Sequence, residues 1–275
     1  IFFLIIGFGY GFSSAITALL GNALGKKRYK LASIYAHKGL VFVPLIGLTL
    51  SIIGYFFAPS LFMFLGAKDE YLQISLDYIN PILFGAIFFM FNFSLNSILI
   101  ATGDTKTYRN SLIFGFFANL ALNPLFMYGF LFVPAMGIKG IAFATVLIQI
   151  INMFYLFYKV LQTKLIHFDK LEYFIPNLRI YKLFFTHGIP SSLNMLTMAI
   201  GSLILTYFVS HYGIQAVAGY GIGYRVEQLM LLPALGLSTA VLALVSNNFG
   251  AKKYDRVIET LKVSLKYGFI IATVG

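Results

Sequence analysis

The chain of 275 residues is 59% hydrophobic and only 11% charged, with a mean hydropathy of +0.86, whereas a soluble domain carries about a quarter charged residues. It contains no cysteine, which excludes disulfide frameworks, cysteine-ligated metal centres and thiol catalysis, and its four histidines are scattered, which argues against a histidine metal site. The net charge of +11 sits in short segments between apolar runs, a distribution suited to anionic lipid and not to nucleic acid.

A helix needs about 20 mostly apolar residues to cross the hydrocarbon core. In chain order, seven runs meet that length: 1–24, 36–65, 72–101, 112–133, 137–158, 183–212 and 216–249, followed by the start of an eighth near Val263. They are too long and too uniformly apolar for the alternating strands of a membrane β-barrel. Pro44, Pro81, Pro124, Pro190 and Pro233 fit membrane helices, in which neighbours re-satisfy freed backbone groups. The chain opens inside an apolar run without a methionine and closes about ten residues into another, so it reads as a fragment at both ends.

Alternate connections hold the positive charge. GKKRYK from residue 25, GDTKTYR from residue 103, residues 159–182 and GAKKYDR from residue 250, with the first turns that follow them, carry 17 of the 20 lysines and arginines. Lys68 and Lys139 lie on the opposite side with Asp69, Glu70 and Asp77, and Arg225 falls within a span. The positive-inside rule places the basic loops in the cytoplasm.

The chain also repeats itself. GFSSAITALLGNALGKKRYKLA from Gly11 aligns without a gap to GLSTAVLALVSNNFGAKKYDRV from Gly236, an offset of 225. The polar matches Ser13/Ser238, Asn22/Asn247, Lys27/Lys252 and Tyr29/Tyr254 carry more weight than the apolar ones. Six spans separate the copies, so both halves share one orientation and the repeat is parallel. The expected architecture is all-α and polytopic, with two six-helix lobes: a first lobe at 1–161, a cytoplasmic linker at 162–182 and the start of a second lobe at 183–275. Completing the repeat would take about 450 residues and twelve spans.

The paired N-x-x-G-(A/K)-K-(K/R)-Y ends, the ATGDTK segment at 101–106, NLALNP at 119–124 and GIKGIAFAT at 137–145 together resemble the multidrug and toxic compound extrusion (MATE) family, in order along the whole chain. The resemblance implies a twelve-helix secondary transporter that exports organic cations, drugs or metabolites in exchange for sodium ions or protons. On that reading the chain lacks the first helix and most of the second lobe. No cofactor beyond the coupling ion is implied, and the expected state is a monomer in a bacterial inner membrane.

Polar residues inside spans are costly and therefore candidate functional groups. Asn119 and Asn123, four apart on one helix face, offer carbonyl oxygens to a hard cation; interhelical hydrogen bonding is their ordinary alternative. The family resemblance adds that one branch places an asparagine and an aspartate at this spacing in an ion site, with further polar positions that match Asn96 and Thr145. Here Asn123 stands where that aspartate would be. Another branch's seventh-helix glutamate would fall near Met198, so it too is absent. Arg225 and Glu227 are candidates for a substrate cavity or, alternatively, a headgroup-level pair of charges. No hydrolase, phosphate-binding or zinc-protease motif occurs, so an enzyme is not expected. A lipid-linked saccharide flippase of the same superfamily would need several cavity cations for a diphosphate, and a seven-span receptor would not explain the repeat.

Overall fold

The computed structural model describes residues 2–130, 133–169 and 171–274, which form nine α-helices and no β-strand beyond an isolated bridge between Phe130 and Val133. The helices are α1 (Phe2–Gly25), α2 (Tyr29–Phe64), α3 (Asp69–Phe84), α4 (Ala86–Ala101), α5 (Lys106–Tyr128), α6 (Ile138–Gln162), α7 (Leu178–Ser210), α8 (Ile214–Gly250) and α9 (Tyr254–Val274), with a 3₁₀ turn at Leu171–Tyr173. Among the described residues, six helices are long and apolar enough to cross a membrane, or seven if the bent pair α3–α4 counts as one span.

The repeat survives in three dimensions. α1 ends at Gly25 and α8 at Gly250, and α2 and α9 begin at Tyr29 and Tyr254. Each junction closes with the same bonds: Lys27 N–H to Leu24 O and Arg28 N–H to Ala23 O in one copy, Lys252 N–H to Phe249 O and Lys253 N–H to Asn248 O in the other. This is the Schellman pattern. Its left-handed residue is a lysine in both copies, Lys27 at φ 56° and Lys252 at φ 59°.

Four sequence boundaries are corrected. The run at 72–101 is not one straight span: α3 begins at Asp69 and meets α4 at Gly85 with a 46° bend. Pro81 lacks an N–H and its ring crowds the preceding turn, while a Cβ at Gly85 would collide with Val146 of α6, so bend and close packing coincide. The run at 112–133 becomes α5, which starts earlier, at Lys106, and stops at Gly129, whose φ of 75° breaks the helix. α7 begins at Leu178, inside the stretch read as linker, because Asn177 Oδ1 accepts the Ile180 N–H at 3.1 Å and caps it. The eighth apolar run belongs to α9, which begins at Tyr254 and not near Val263; its first turns are charged, which hydropathy does not mark.

α1 is the central helix, packed on α2, α4, α7 and α8. Phe12 of α1 meets Phe42 of α2 edge-on at 5.1 Å, and Phe42 in turn contacts Phe184 of α7 at 5.4 Å. α1 and α7 approach closely, since a Cβ at Gly11 would strike Ser192 and Gly188, and one at Gly188 would strike Phe12.

The connections sort to two ends. Gly25 abuts Asn247, Asn247 Nδ2 donates to Ala101 O at 3.1 Å and Ser33 Oγ donates to Leu165 O at 2.7 Å, so all four basic connections share one end. At the other end Lys139 pairs with Asp77 at 3.1 Å and Phe64 stacks on Tyr207 at 5.1 Å.

The ATGDTK segment is a turn and a cap. Gly103 adopts φ 91°, and Asp104 Oδ1 accepts the N–H groups of Lys106 (3.1 Å) and Thr107 (3.0 Å) at the start of α5. Burial pushes the Asp104 carboxyl up, but these bonds, the Thr107 hydroxyl and nearby Lys159 outweigh it and hold it below the usual carboxylate range. A carboxylate with a lowered pKa in the folded state stabilises above its unfolded pKa of about 3.9 and loses that contribution as pH falls. Asp104→Ala should therefore cost about 1 kcal/mol at neutral pH in a detergent thermal-unfolding assay, with the difference from wild type shrinking below about pH 4.

Candidate inter-repeat cavity

Between the two copies of the repeat lies a cavity of about 540 Å³. α1 contributes Tyr10, Ser13 and Thr17, α4 contributes Phe93 and Asn96, α5 contributes Tyr108 and Arg109, and α8 contributes Gly236 and Thr239. The first wall is fixed by Ser13 Oγ donating to Phe93 O at 3.1 Å and Thr17 Oγ1 donating to Ser97 O at 3.3 Å, which tie α1 to α4. Across the cavity the hydroxyls of Tyr10 and Thr239 face each other at 3.5 Å, one from each copy. Arg109 is the one lysine, arginine or carboxylate side chain in the lining, and its guanidinium donates to its neighbour Asn110 Oδ1 at 3.1 and 3.3 Å.

Below this cavity, at the basic end, α1 and α8 cross at their last turns. A Cβ on Gly25 would collide with the carbonyl oxygen of Asn247, and a Cβ on Gly250 with that of Asn22. The contact is reciprocal, each glycine meeting the asparagine three residues before the other. The N-x-x-G pattern therefore encodes a backbone-to-backbone crossing that only hydrogen at Cα permits.

The sequence-derived candidates do not form one cluster. Asn96 is buried, lines the cavity, and its Oδ1 has no partner among the described residues. Asn123 is half-buried on α5 with its Oδ1 also shielded and unpartnered. Asn119 donates from Nδ2 to Gly115 O at 3.1 Å and Thr145 donates to Ile141 O at 3.0 Å, both within their own helices. Neither asparagine of α5 nor Thr145 lines the inter-repeat cavity. Arg225 and Glu227 are exposed on α8, outside that lining and with no ion pair among the described residues.

Sequence reasoning missed two polar clusters. Asn92 Nδ2 donates to both the side-chain oxygen (2.8 Å) and the backbone oxygen (2.9 Å) of Gln149, joining α4 to α6, while its Oδ1 stays buried without a partner one turn from Asn96. An i, i+4 pair of asparagines in an apolar run was the available signal. His37 is fully buried; with its proton on Nδ1 it donates to Ser33 O at 2.7 Å and accepts the His167 N–H on Nε2 at 3.0 Å. The neighbouring Lys38 donates to the carbonyls of Glu172 and Ile175. Together they fasten the α6–α7 connection onto α2, and a His-Lys pair inside a hydrophobic run was the signal for it.

The family model MatE matches residues 1–125 and 190–275. A probable multidrug resistance protein, YoeA of Bacillus subtilis (strain 168), is 32% identical over 278 residues, covering 100% of this chain and 60% of that protein. A second from the same organism, YpnP, is 28% identical over 92% of this chain and 56% of its own length. The chain thus spans about 60% or less of the length of these curated relatives. Among solved structures, a MOP superfamily transporter from Pyrococcus furiosus superposes with a TM-score of 0.86 at 26% identity, over 99% of this chain and 60% of that one. A MATE structure in complex with MaD5 gives 0.84 at 25% identity, over 99% and 61%. With the repeat, its reciprocal helix crossing and these likenesses in agreement, the chain is an integral membrane protein that belongs to the MatE family.

Proposed function

We propose that the protein is a cation-coupled antiporter that exports organic cations, drugs or neutral amphiphiles by alternating access, working as a monomer in a bacterial inner membrane with its basic loops in the cytoplasm. The observation that carries this reading is the cavity between the two repeat copies. α1 and α8, which flank it, cross at Gly25 and Gly250, and Tyr10 and Thr239 bridge it. Two similar halves that meet along α1, α7 and α8 can rock about that seam, which exposes the cavity to one side and then the other. Tyr10, Phe93 and Tyr108 offer ring faces to an organic cation. A single arginine, already engaged with Asn110, suits a diphosphate poorly, which disfavours the flippase alternative. The shielded, unpartnered oxygens of Asn96 and Asn123 support a cation-binding role for the first lobe, with sodium ion or proton as the coupling ion.

Two experiments test this reading. Cells expressing the protein should extrude a fluorescent lipophilic cation only when an inward sodium or proton gradient is imposed; extrusion indifferent to both gradients would contradict it. Single cysteines placed in this cysteine-free chain at Lys27, Lys106 and Lys252 should resist an impermeant thiol reagent added outside intact cells, while Asp69 and Gly213 should react. The reverse labelling pattern would overturn the orientation.

A further inference from the structure

A second cavity, of about 410 Å³, opens at the basic end between the start of α2 and the segment that follows α6. Tyr29 and Lys30 form one wall; Lys164, His167 and Tyr173 form the other. The second wall is held to α2 by hydrogen bonds. Ser33 Oγ donates to Leu165 O, His37 accepts the His167 N–H, and Lys38 donates to the carbonyls of Glu172 and Ile175. Lys164 adopts φ 56° and is tied to α2 through its neighbour Leu165, whose carbonyl accepts the Ser33 hydroxyl.

The charge of this cavity is uncompensated. Neither Lys30 nor Lys164 makes an ion pair, and the His167 ring makes no hydrogen bond, among the described residues. No carboxylate lines the cavity; Asp169 and Glu172, the nearest in sequence, are exposed outside it. Two free ammonium groups, an imidazole and the Tyr29 hydroxyl around a concavity are the donor set that phosphate oxygens take. The place favours a lipid as the source. The cavity lies where α2 begins and α6 ends, at headgroup level, and its tyrosines are the amphipathic residues that populate that layer. The other copy of the repeat has Asp255 at the position of Lys30, so the arrangement is particular to the first copy.

We propose that this cavity binds a phosphate ester, presented by an anionic lipid headgroup of the leaflet in which the basic ends lie. It would anchor the α6–α7 connection and α2 to the same lipid, independently of what the inter-repeat cavity carries.

Native mass spectrometry of the detergent-purified protein tests this, with phosphatidylglycerol and phosphatidylcholine of identical acyl chains as probes. Phosphatidylglycerol should be retained in preference to phosphatidylcholine. The double variant Lys30→Gln/Lys164→Gln should weaken that retention roughly tenfold, while Lys252→Gln/Lys253→Gln at the same end leaves it unchanged. Displacement of the lipid by excess inorganic phosphate would assign the same donor set to a soluble phosphate, and resistance to it would assign the site to the headgroup. Equal retention by the Lys30/Lys164 variant, or equal loss in both double variants, would show diffuse surface attraction and overturn the proposal.

Discussion

Gly25→Ala and Gly250→Ala are expected to destabilise the protein by about 1–3 kcal/mol each, read as a lower unfolding temperature in detergent. Alanine ordinarily gains up to about 1 kcal/mol over glycine within a helix. Here the added methyl meets backbone carbonyl oxygen, of Asn247 in one case and Asn22 in the other, and backbone cannot swing aside as a side chain end can. The collision therefore outweighs the propensity gain, and the α1 and α8 ends must part. Because the two contacts share one crossing, the double variant should cost less than the sum of the singles. Gly223→Ala serves as the control, since nothing lies within 4 Å of a Cβ there, and it should be neutral or slightly stabilising. If Gly25→Ala and Gly250→Ala match that control, the crossing is not the close contact described.

The largest effect on coupling is expected at Asn123 and Asn119. Asn123 Oδ1 is shielded and unpartnered, and the Asn119 amide is oriented by its bond to Gly115 O. Leucine keeps a similar volume and removes the oxygen. Cation-dependent efflux should fall by at least about tenfold, since a dehydrated cation in the membrane needs oxygen ligands. Stability should change little, because such hydrogen bonds average about 0.6 kcal/mol in membrane helices. Glu227, exposed on α8 and outside the cavity lining, should act differently, with Glu227→Gln leaving the ion dependence of efflux at its wild-type level. Wild-type ion dependence in both asparagine variants, together with its loss in Glu227→Gln, would move the coupling site to the second copy.

Apolar run length made the helices legible, and the polar positions of the repeat made their pairing legible. Lys27 and Lys252, matched in sequence, adopt the same left-handed conformation at equivalent junctions. Helix ends were harder to read. α2 begins at Tyr29, just after the left-handed Lys27, and its polar His37 and Lys38 are satisfied by the α6–α7 connection, tertiary bonds that no hydropathy window contains. The bend at Gly85 was hidden as well, since Pro44, Pro59, Pro190 and Pro233 all sit inside unbroken helices. It takes Pro81 together with the tight contact of Gly85 on Val146 to account for it.

The cavity was only partly visible in the chain. Asn96 stood out as a polar residue in an apolar run, and it does line the space between the copies. Tyr10, Thr239 and Arg109 gave no such signal. Tyrosine and threonine are common in membrane helices, Arg109 resembles one more positive loop residue, and their convergence depends on how α1, α5 and α8 pack. Conversely, Asn119, Asn123 and Thr145 share the first lobe without reaching that space, and of the four polar candidates there Asn96 alone lines it.

The claim that the inter-repeat cavity is the ligand site is tested most directly by equilibrium binding of tetraphenylphosphonium to the purified protein and to Thr239→Trp and Ala240→Trp. Both positions line the cavity from α8, and an indole there would narrow its roughly 540 Å³. The account predicts measurable binding to wild type and at least about tenfold weaker binding to both variants, a loss of about 1.4 kcal/mol or more, with unfolding temperatures close to wild type. Unchanged affinity in the two folded variants would place the ligand elsewhere and contradict the account.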